Sequence, residues 1–154
     1  MTAHIGFTGT RHGMAIGQRA TVDRIVRDLV NGAPFTAHHG LCVGADEGFH
    51  RLVRQMPLSH IVGHPGPDWP RGNLCARVDD CDEVLDPMSY TRRNRAIVTA
   101  SQIMIAAPYE HDPWSRGGTW MTIRMARVAH RRGLLRELHV VGRDGQLLDH
   151  SRWP

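Results

Sequence analysis

The sequence predicts an α/β protein in three layers, with a mostly parallel sheet of about five strands and helices on both of its faces. Short apolar runs alternate along the chain with longer amphipathic segments, and glycine-containing turns separate them. Strands that are joined by helices pair in parallel, and the helices then cover both faces of the sheet. The chain of 154 residues has the length of one domain, so we expect a single unit over residues 1–154.

The predicted strands and helices follow one another in a regular order. Each strand is a short apolar run bounded by turn residues. The strands are expected at 4–8, 35–38, 59–62, 102–107 and 138–141. The first helix shows the clearest periodicity, since Val22, Val26 and Leu29 recur at helical spacing before Asn31 and Gly32 end it. The other helices are expected over 45–55, over 90–101, and from a turn at 115–119 to residue 132.

Two segments lack this regular pattern. The stretch 64–89 is rich in proline, and loops longer than about 15 residues are uncommon in compact domains unless they are functional or mobile. We expect a functional loop there, part of which forms a short helix. At the other end of the chain, Asp144 and Gly145 lie between apolar pairs, which predicts a C-terminal hairpin or tail at about 143–154.

All 19 basic residues are arginines, and the formal net charge is +4. Without lysine the chain has neither the P-loop residue that contacts nucleotide phosphates nor an amine for Schiff-base chemistry. The positive charge is compatible with an anionic ligand or with weak contact to nucleic acid. The charge therefore excludes two enzyme classes and leaves the partner open.

The three cysteines, Cys42, Cys75 and Cys81, are odd in number and irregularly spaced, which argues against a disulfide framework. Histidines and aspartates flank the last two, but no spacing matches a zinc motif. We therefore expect reduced thiols, no metal and no cofactor. No apolar run approaches the ~18 residues of a membrane helix, and no basic signal segment opens the chain. We expect a cytoplasmic protein without membrane contact, of host or viral origin.

Two glycine turns are candidate sites for an anion, and their residues are Thr8, Gly9, Thr10, Arg11 and Gly13 in the first and Ser115, Arg116, Gly117, Gly118 and Thr119 in the second. Successive N–H groups at the start of a helix attract an anion, and glycine lets the backbone approach it closely. Ligands of open α/β sheets bind beyond the carboxyl ends of the strands. We therefore expect both turns to face one crevice and bind the same phosphate-bearing molecule.

The first turn does not have the signature of a dinucleotide site. Gly6, Gly9 and Gly13 are three and four residues apart, whereas the dinucleotide fingerprint is G-x-G-x-x-G. No acidic residue ends the second strand, where the ribose of NAD would be held. Both observations argue against an NAD-dependent dehydrogenase.

Two helix starts supply further candidates. Arg93 and Asn94 lie within a run of arginines at a helix start. Positive charge is unfavourable beside the positive end of the helix dipole unless an anion or an acid compensates for it. The alternative is that these arginines form a solvated face. Gly44 and Asp46 begin the second helix, where the aspartate either caps the helix or accepts hydrogen bonds from ribose hydroxyls. Aromatic residues in loops are candidates for stacking on a base. They are Tyr90, Trp69 and Trp114, whereas Trp120 is assigned to the core or an interface.

The order of these motifs resembles the SLOG superfamily, which includes the Lonely Guy cytokinin-activating enzymes and the Rossmann domain of DNA-processing protein A. The likeness covers about residues 4–142 and rests on the two glycine turns, the segment 39–46 and the run 93–108. The resemblance implies a Rossmann-like fold that binds nucleotides or nucleotide-derived signals, often as a homodimer.

The Lonely Guy enzymes are phosphoribohydrolases, and the chain departs from their motif. Arg93 falls on their conserved arginine, but Asn94 replaces the lysine that follows it. Gly118 and Thr119 match a Gly-Thr pair, yet Thr122 stands where the catalytic glutamate belongs. Cleavage of an N-glycosidic bond needs a carboxylate near the ribose. The acids that could substitute are Asp46, Glu47, Asp86 and Glu110.

Three functions follow, in decreasing order of support. The first is a non-catalytic sensor or sequestering module for a nucleotide-derived ligand, because the anion sites remain while the family's acid is missing. The second is a nucleotide N-glycosidase in which Arg93 orients the substrate and Asp46 or Glu47 acts as the base. The third, single-stranded nucleic-acid binding, depends on the arginines and tryptophans alone.

Overall fold

The structure is a computed structural model that describes residues 2–153. Its strands and helices alternate nearly as the sequence predicts. In chain order they are β1 (Ala3–Gly9), α1 (Ile16–Val30), β2 (Phe35–His39), α2 (Ala45–Arg54), β3 (Ser59–Gly63), β4 (Glu83–Val84), α3 (Tyr90–Ala100), β5 (Ile103–Ala107), α4 (Gly118–Arg131), β6 (Glu137–Val140) and a short 3-10 helix, His150–Arg152.

The described residues form one sheet of six strands in the order β4-β3-β2-β1-β5-β6, and every neighbouring pair is parallel. The predicted α/β class is confirmed. The sheet has six strands rather than about five because β4, only two residues long, extends the edge next to β3. Since β1 lies between β2 and β5, the strand order reverses at β1 and β5, and a crevice opens there at the carboxyl edge of the sheet.

Two hydrophobic cores lie on opposite faces of the sheet. Val22 and Val26 of α1 and Phe49 of α2 pack in the first core, and Ile97 of α3 and Trp120 of α4 pack in the second. Side chains of β5 alternate between them. Ile105 and Ala107 belong to the first core, and Met104 and Ala106 to the second, as the two-residue period of a strand requires. The protein therefore has three layers, as predicted.

The segment between β3 and α3 contains turns and β4, and the expected short helix does not form. Side chains and backbone groups attach this segment to the sheet instead. Asp82 accepts a hydrogen bond from the N–H of Ile61 at 2.7 Å and one from Nη2 of Arg54 at 2.9 Å. Proline lacks a backbone donor and has a fixed φ, so the proline-rich part of this segment is unsuited to a helix interior.

A tight turn follows β6. Val141 and Leu147 form an antiparallel bridge, and the N–H of Gly145 donates to the carbonyl of Gly142 at 2.9 Å. The side chain of Gln18 in α1 donates to the carbonyls of Pro108 and Val141, which ties the ends of β5 and β6 to the first helix. Within residues 2–153, no helix has the length and apolar character needed to cross a membrane.

Candidate functional site

A pocket of about 460 Å³ opens at the carboxyl edge of the sheet, where the strand order reverses. We call it the switch-point pocket. Its wall combines the ends of β1 and β2, the first turns of α2, α3 and α4, and the segment after β5. The lining residues are Phe7, Thr8, Gly9, Thr10, Arg11, His12, Gly40, Cys42, Asp46, Leu74, Tyr90, Arg93, Asn94, Ile97, Tyr109, Glu110, Arg116, Gly117, Gly118, Thr119, Trp120 and Met121.

The first glycine turn is held by backbone hydrogen bonds to two neighbouring elements. The N–H of Thr10 donates to the carbonyl of Ala107 at 3.0 Å, and the carbonyl of Thr10 accepts from the N–H of Ala45 at 2.9 Å. The turn is thereby fixed between the end of β5 and the start of α2. Arg11 extends from it as an exposed side chain on the pocket wall.

The second glycine turn lies directly beside the first. Thr119, in the first turn of α4, donates its hydroxyl hydrogen bond to the carbonyl of Gly9 at 2.9 Å. Gly117 precedes the helix with φ of 107°, a backbone conformation that residues other than glycine rarely adopt. Arg116 is exposed next to it and also lines the pocket. The two turns therefore face one crevice.

Asp46 is a buried carboxylate in the pocket wall. Its Oδ2 accepts hydrogen bonds from the N–H groups of Gly40 at 3.0 Å and Cys42 at 3.1 Å. Burial raises the pKa of Asp46 to about 6, although the nearby guanidinium of Arg93 and these hydrogen bonds act in the opposite direction. A carboxyl group in this range can both accept and release a proton near neutral pH.

Arg93 is also buried, and four of its five N–H donors have partners within the protein. Nε donates to Oδ1 of Asn94 at 2.7 Å, and Nη1 donates to the carbonyls of Gly40 at 2.5 Å and His64 at 3.3 Å. Nη2 lies 3.5 Å from Sγ of Cys42. The run of arginines at this helix start predicts an anion or an acid that compensates for the charge of Arg93. The structure supplies carbonyl groups and the charge of Asp46, so Arg93 supports the pocket wall from inside.

Two tyrosines stand at the exposed rim of the pocket. Tyr90 donates its hydroxyl to Asp68 at 3.2 Å and lies with its ring 5.4 Å from the guanidinium carbon of Arg93. The ring of Tyr109 packs against the ring of His12 at a centroid distance of 4.9 Å. The guanidinium carbon of Arg143 lies 4.1 Å from the ring centroid of Tyr109. Sequence reasoning singled out Tyr90 but missed Tyr109. Its position after the apolar run 102–107, at the carboxyl end of a predicted strand, was the available signal.

Most of the residues expected at the ligand line the switch-point pocket, but three of them lie outside its wall: Gly13, Gly44 and Ser115. Gly44 has a structural role, since a Cβ there would lie 2.3 Å from the carbonyl oxygen of Arg11. Gly13 adopts φ of 83° within the turn. The carbonyl of Ser115 accepts a hydrogen bond from Nη1 of Arg124 at 3.0 Å, so Ser115 stabilises the second turn from outside the pocket wall.

The candidate acids are separated by the fold. Only Asp46 and Glu110 line the pocket. Glu47 instead accepts from the N–H of Gly44 at 3.3 Å and caps α2, and Asp86 lies in the segment before α3. At the position where the Lonely Guy enzymes have their glutamate, Thr122 is buried and donates to the carbonyl of Gly118 at 2.8 Å.

The tryptophans do not form a stacking surface in the pocket. Trp120 is 1% exposed and packs in the second core, because it lies on the inner face of α4, and its Nε1 donates to the carbonyl of Glu110 at 3.1 Å. Trp69 and Trp114 are not part of the pocket wall, although Trp114 is 71% exposed. Trp120 therefore contributes to the pocket wall only as a buried core residue, and Tyr90 and Tyr109 are the tyrosines exposed at the rim.

His38 and His39, which end β2, serve the sheet and do not line the pocket. Nε2 of His38 lies 2.9 Å from Nδ1 of His4, and Nδ1 of His38 lies 3.0 Å from Nε2 of His64. Burial lowers the pKa of His38 to about 3 and that of His64 to about 4. His38 and His64 are therefore neutral at pH 7.

The side chains of His39, His50 and Cys81 place three potential metal-ligand atoms within 4.8 Å of one another, a grouping that sequence spacing did not indicate. The N–H of Leu41 donates to Nδ1 of His39 at 3.1 Å, so the proton of His39 lies on Nε2 and is donated to His50 at 3.0 Å. His50 in turn contacts Asp80 at 2.5 Å. A metal bound to Nε2 of His39 would require the imidazole proton to lie on Nδ1, where it would face the N–H of Leu41. Two donors would then oppose each other, so the observed hydrogen bonds disfavour a metal at this atom.

Comparison with known proteins gives a likeness in structure alone. No family model and no curated protein matches the sequence. A molybdenum cofactor binding protein from Rippkaea orientalis has a TM-score of 0.62 and 13% identity, over 92% of this chain and 77% of that one. A Moco carrier protein from Chlamydomonas reinhardtii has a TM-score of 0.59 and 16% identity, over 95% and 78%.

A structural-genomics target named TM1055 is also similar, with a TM-score of 0.57 and 13% identity over 82% of this chain and 69% of that one. At these identities the likeness shows the fold and not the ligand. The chain thus has a Rossmann-like fold that it shares with proteins named for binding a small cofactor.

Proposed function

We propose that the protein binds a nucleotide-derived, phosphorylated small molecule in the switch-point pocket and does not cleave it. The observation that carries this proposal is the hydrogen bond between Thr119 and Gly9 at 2.9 Å. It holds the two glycine turns side by side, so that the N–H groups at the start of α4 and the exposed guanidinium of Arg11 on the first turn can contact one anion.

The phosphate end of the proposed ligand lies at these turns. α4 is 14 residues long, and its N-terminus carries the positive end of a helix dipole. Arg11 and Arg116 add two exposed guanidinium groups on the same wall. Guanidinium groups bind phosphate oxygens through paired hydrogen bonds. Backbone dipole and side-chain charge therefore favour the same kind of ligand group.

The heterocyclic end of the proposed ligand lies at the rim beside Tyr90, whose exposed ring can pack on a planar base. A volume of about 460 Å³ falls within the range of small-molecule sites, roughly 300–1,000 Å³. Two structurally similar proteins are named for the molybdenum cofactor, so that cofactor belongs among the ligands to be tested here beside nucleotides.

Absence of catalysis is proposed from the position that Thr122 occupies. The hydroxyl of this residue is committed to its own helix, and it offers no carboxylate for activation of water. The second candidate function, a phosphoribohydrolase, draws support from Asp46, whose pKa of about 6 suits a general base. Its Oδ2 already accepts two backbone hydrogen bonds, which favours a role in shaping the pocket.

Binding is tested by calorimetric titration with nucleoside monophosphates, cyclic nucleotides and the molybdenum cofactor. For the ligand that binds, Arg116→Ala and Arg11→Ala are each expected to weaken affinity by roughly tenfold, the effect of a charge-assisted hydrogen bond. Arg95→Ala is the matched control, since Arg95 is exposed on α3 outside the pocket wall. Equal losses in all three variants, or no binding of any of these compounds, would refute the proposal.

Catalysis is tested by incubating the protein with the same nucleotides and separating free base by chromatography. We expect no base above the level of a protein-free control. Base release that Asp46→Asn abolishes while Glu110→Gln retains it would establish the hydrolase instead. Binding to oligonucleotides that falls steeply with salt would favour the third function, contact with single-stranded nucleic acid.

The homodimer that the resemblance implies stays a prediction. α4 presents Val128 at 48% exposure on its outer side, and the turn that follows carries Leu134 at 74%. We expect sedimentation analysis to give twice the mass of one chain, and Val128→Glu to return the protein to a monomer.

A further inference from the structure

Two cysteines face each other across a short antiparallel contact beside the switch-point pocket. Cys42 lies in the turn after β2, Cys75 lies in the segment before β4, and the two form an isolated antiparallel bridge. The N–H of Val43 donates to the carbonyl of Leu74 at 2.9 Å, and the N–H of Ala76 donates to the carbonyl of Leu41 at 2.8 Å. The backbone hydrogen bonds thus flank the cysteines, which are a non-hydrogen-bonded pair.

This kind of pair suits a covalent link between side chains. In a non-hydrogen-bonded antiparallel pair the Cα atoms are about 4.5 Å apart, and the two side chains lie on the same face. Disulfides span Cα separations of about 4.4–6.8 Å. The backbone therefore holds Cys42 and Cys75 at a disulfide-compatible separation while both are free thiols.

We propose that Cys42 and Cys75 are a redox-sensitive pair that closes into an intramolecular disulfide in the presence of a small disulfide oxidant such as oxidised glutathione. Cys42 is the thiol that meets the oxidant first, because it is partly exposed and lines the pocket, whereas Cys75 is 7% exposed. The third cysteine, Cys81, packs instead against the first hydrophobic core.

The reaction proceeds by two exchanges. The Cys42 thiolate attacks one sulfur of oxidised glutathione, a mixed disulfide forms, and the first glutathione leaves as a thiolate. The Cys75 thiolate then attacks the Cys42 sulfur and expels the second glutathione. The two protons lost by the cysteines are taken up by the two glutathione thiolates, and the two electrons that the cysteine pair loses reduce oxidised glutathione to two molecules of glutathione.

The environment of Cys42 makes the pair slow to react at neutral pH. Burial, with the nearby charge of Asp46, raises the pKa of Cys42 to about 11 against the opposing effect of Arg93. Only the thiolate attacks a disulfide, so the rate is expected to rise roughly tenfold for each unit of pH between 7 and 9. Once formed, the bond joins two parts of the pocket wall, since Cys42 and Leu74 both line it.

Trypsin digestion of the unmodified chain tests this directly, because arginines place each cysteine on a different peptide. The peptides are 28–51 with Cys42, 72–77 with Cys75 and 78–92 with Cys81. The protein is treated with oxidised glutathione, blocked by alkylation, digested without reductant and analysed by mass spectrometry. We expect a linked pair of 28–51 with 72–77 that disappears on reduction. The same treatment in urea, where the bridge is lost, is expected to give mixed pairs.

Single variants then separate this bond from general thiol oxidation. Cys42→Ser and Cys75→Ala are expected to abolish an oxidant-induced rise in Tm of roughly 5–10 °C, whereas Cys81→Ser retains it. Glutathione adducts at single cysteines without the linked peptide, or links through Cys81 in the folded protein, would overturn the proposal. These measurements follow thiols alone, so their result is independent of whether the pocket binds a nucleotide.

Discussion

The two sides of the switch-point pocket use polar residues in different ways. On one side, Asp46 and Arg93 are 5% and 6% exposed and take their hydrogen bonds from the protein itself. On the other side, Arg11 and Arg116 are exposed beside the first turn of α4. Buried polar groups with internal partners support a structure, whereas exposed donors at a helix start are available to a ligand.

This difference separates the residues that hold the pocket from those that meet its contents. The turn 40–42 has little regular structure of its own, and Asp46 and Arg93 fix it by binding its N–H and carbonyl groups. Changes on that side are therefore expected to lower stability, and changes on the exposed side to lower affinity. Single variants on each side of the pocket test this division.

Arg93→Ala is expected to lower the free energy of unfolding by about 3–5 kcal/mol, because it removes donors from the carbonyls of Gly40 and His64 and leaves the charge of Asp46 buried without its cation. Urea denaturation measures the loss. Arg95→Ala, on the exposed face of the same helix, is expected to change stability by less than about 0.5 kcal/mol. Similar values for the two variants would contradict the structural role of Arg93.

Asp46→Asn is expected to change how stability depends on pH. The folded pKa of Asp46 is about 6, above its ordinary value of 3.8, so its favourable contribution is complete below pH 4 and is lost as the pH rises through 6. The variant lacks this loss. Its free energy of unfolding should therefore rise relative to wild type between pH 4 and 7, by up to about 3 kcal/mol.

The measurement is urea denaturation of both proteins at each pH. His38, His39 and His64, whose pKa values burial lowers, destabilise both proteins as the pH falls below 6.5, and this shared effect cancels in the difference. A difference that stays constant across the range would show that Asp46 is ionised with an ordinary pKa.

Gly117→Ala is expected to cost about 1–2 kcal/mol, because φ of 107° is unfavourable for any residue with a Cβ. Space is not the cause, since a Cβ at Gly117 would meet nothing within 4 Å. Gly118→Ala is the matched control: it lies in the helix, and its Cβ would approach only Asn94, at 3.8 Å. Thermal unfolding of the two neighbours should therefore differ, and equal Tm values would contradict a strained second turn.

Arg116→Ala is expected to leave the free energy of unfolding within about 0.5 kcal/mol of wild type, although the same change is proposed to weaken ligand binding. The side chain is exposed, so its removal deprives few protein groups of contacts. Urea denaturation without ligand checks this. A loss approaching that of Arg93→Ala would show that the two sides of the pocket do not divide as described.

The strands and helices with strong periodicity were predictable from the sequence, whereas β4 was not. Its two residues, Glu83 and Val84, are exposed, so no alternation distinguishes them from the surrounding proline-rich segment. They form a strand because they pair in register with β3. The turns of the site were predictable from glycine, but their contact through Thr119 and Gly9 joins residues far apart in the chain.

Residue roles were harder to predict than residue positions. Arg93 and Gly44 were expected at the ligand, yet Arg93 binds the protein's own carbonyls and Gly44 permits close backbone packing. Glu47 was one of two candidate bases, but it lies at the third position of α2, where its carboxylate caps the helix by accepting from the N–H of Gly44. A sequence identifies a charge or a glycine, but only the fold determines whether its partner is protein or ligand.

Backbone-amide NMR during titration with a nucleotide that binds in the calorimetric panel tests the central claim most directly. If one phosphate group contacts both glycine turns, the amide resonances of Arg11 and Gly118 will shift together and give a single Kd. Shifts confined to one turn, or two clearly different Kd values, would contradict a shared anion site.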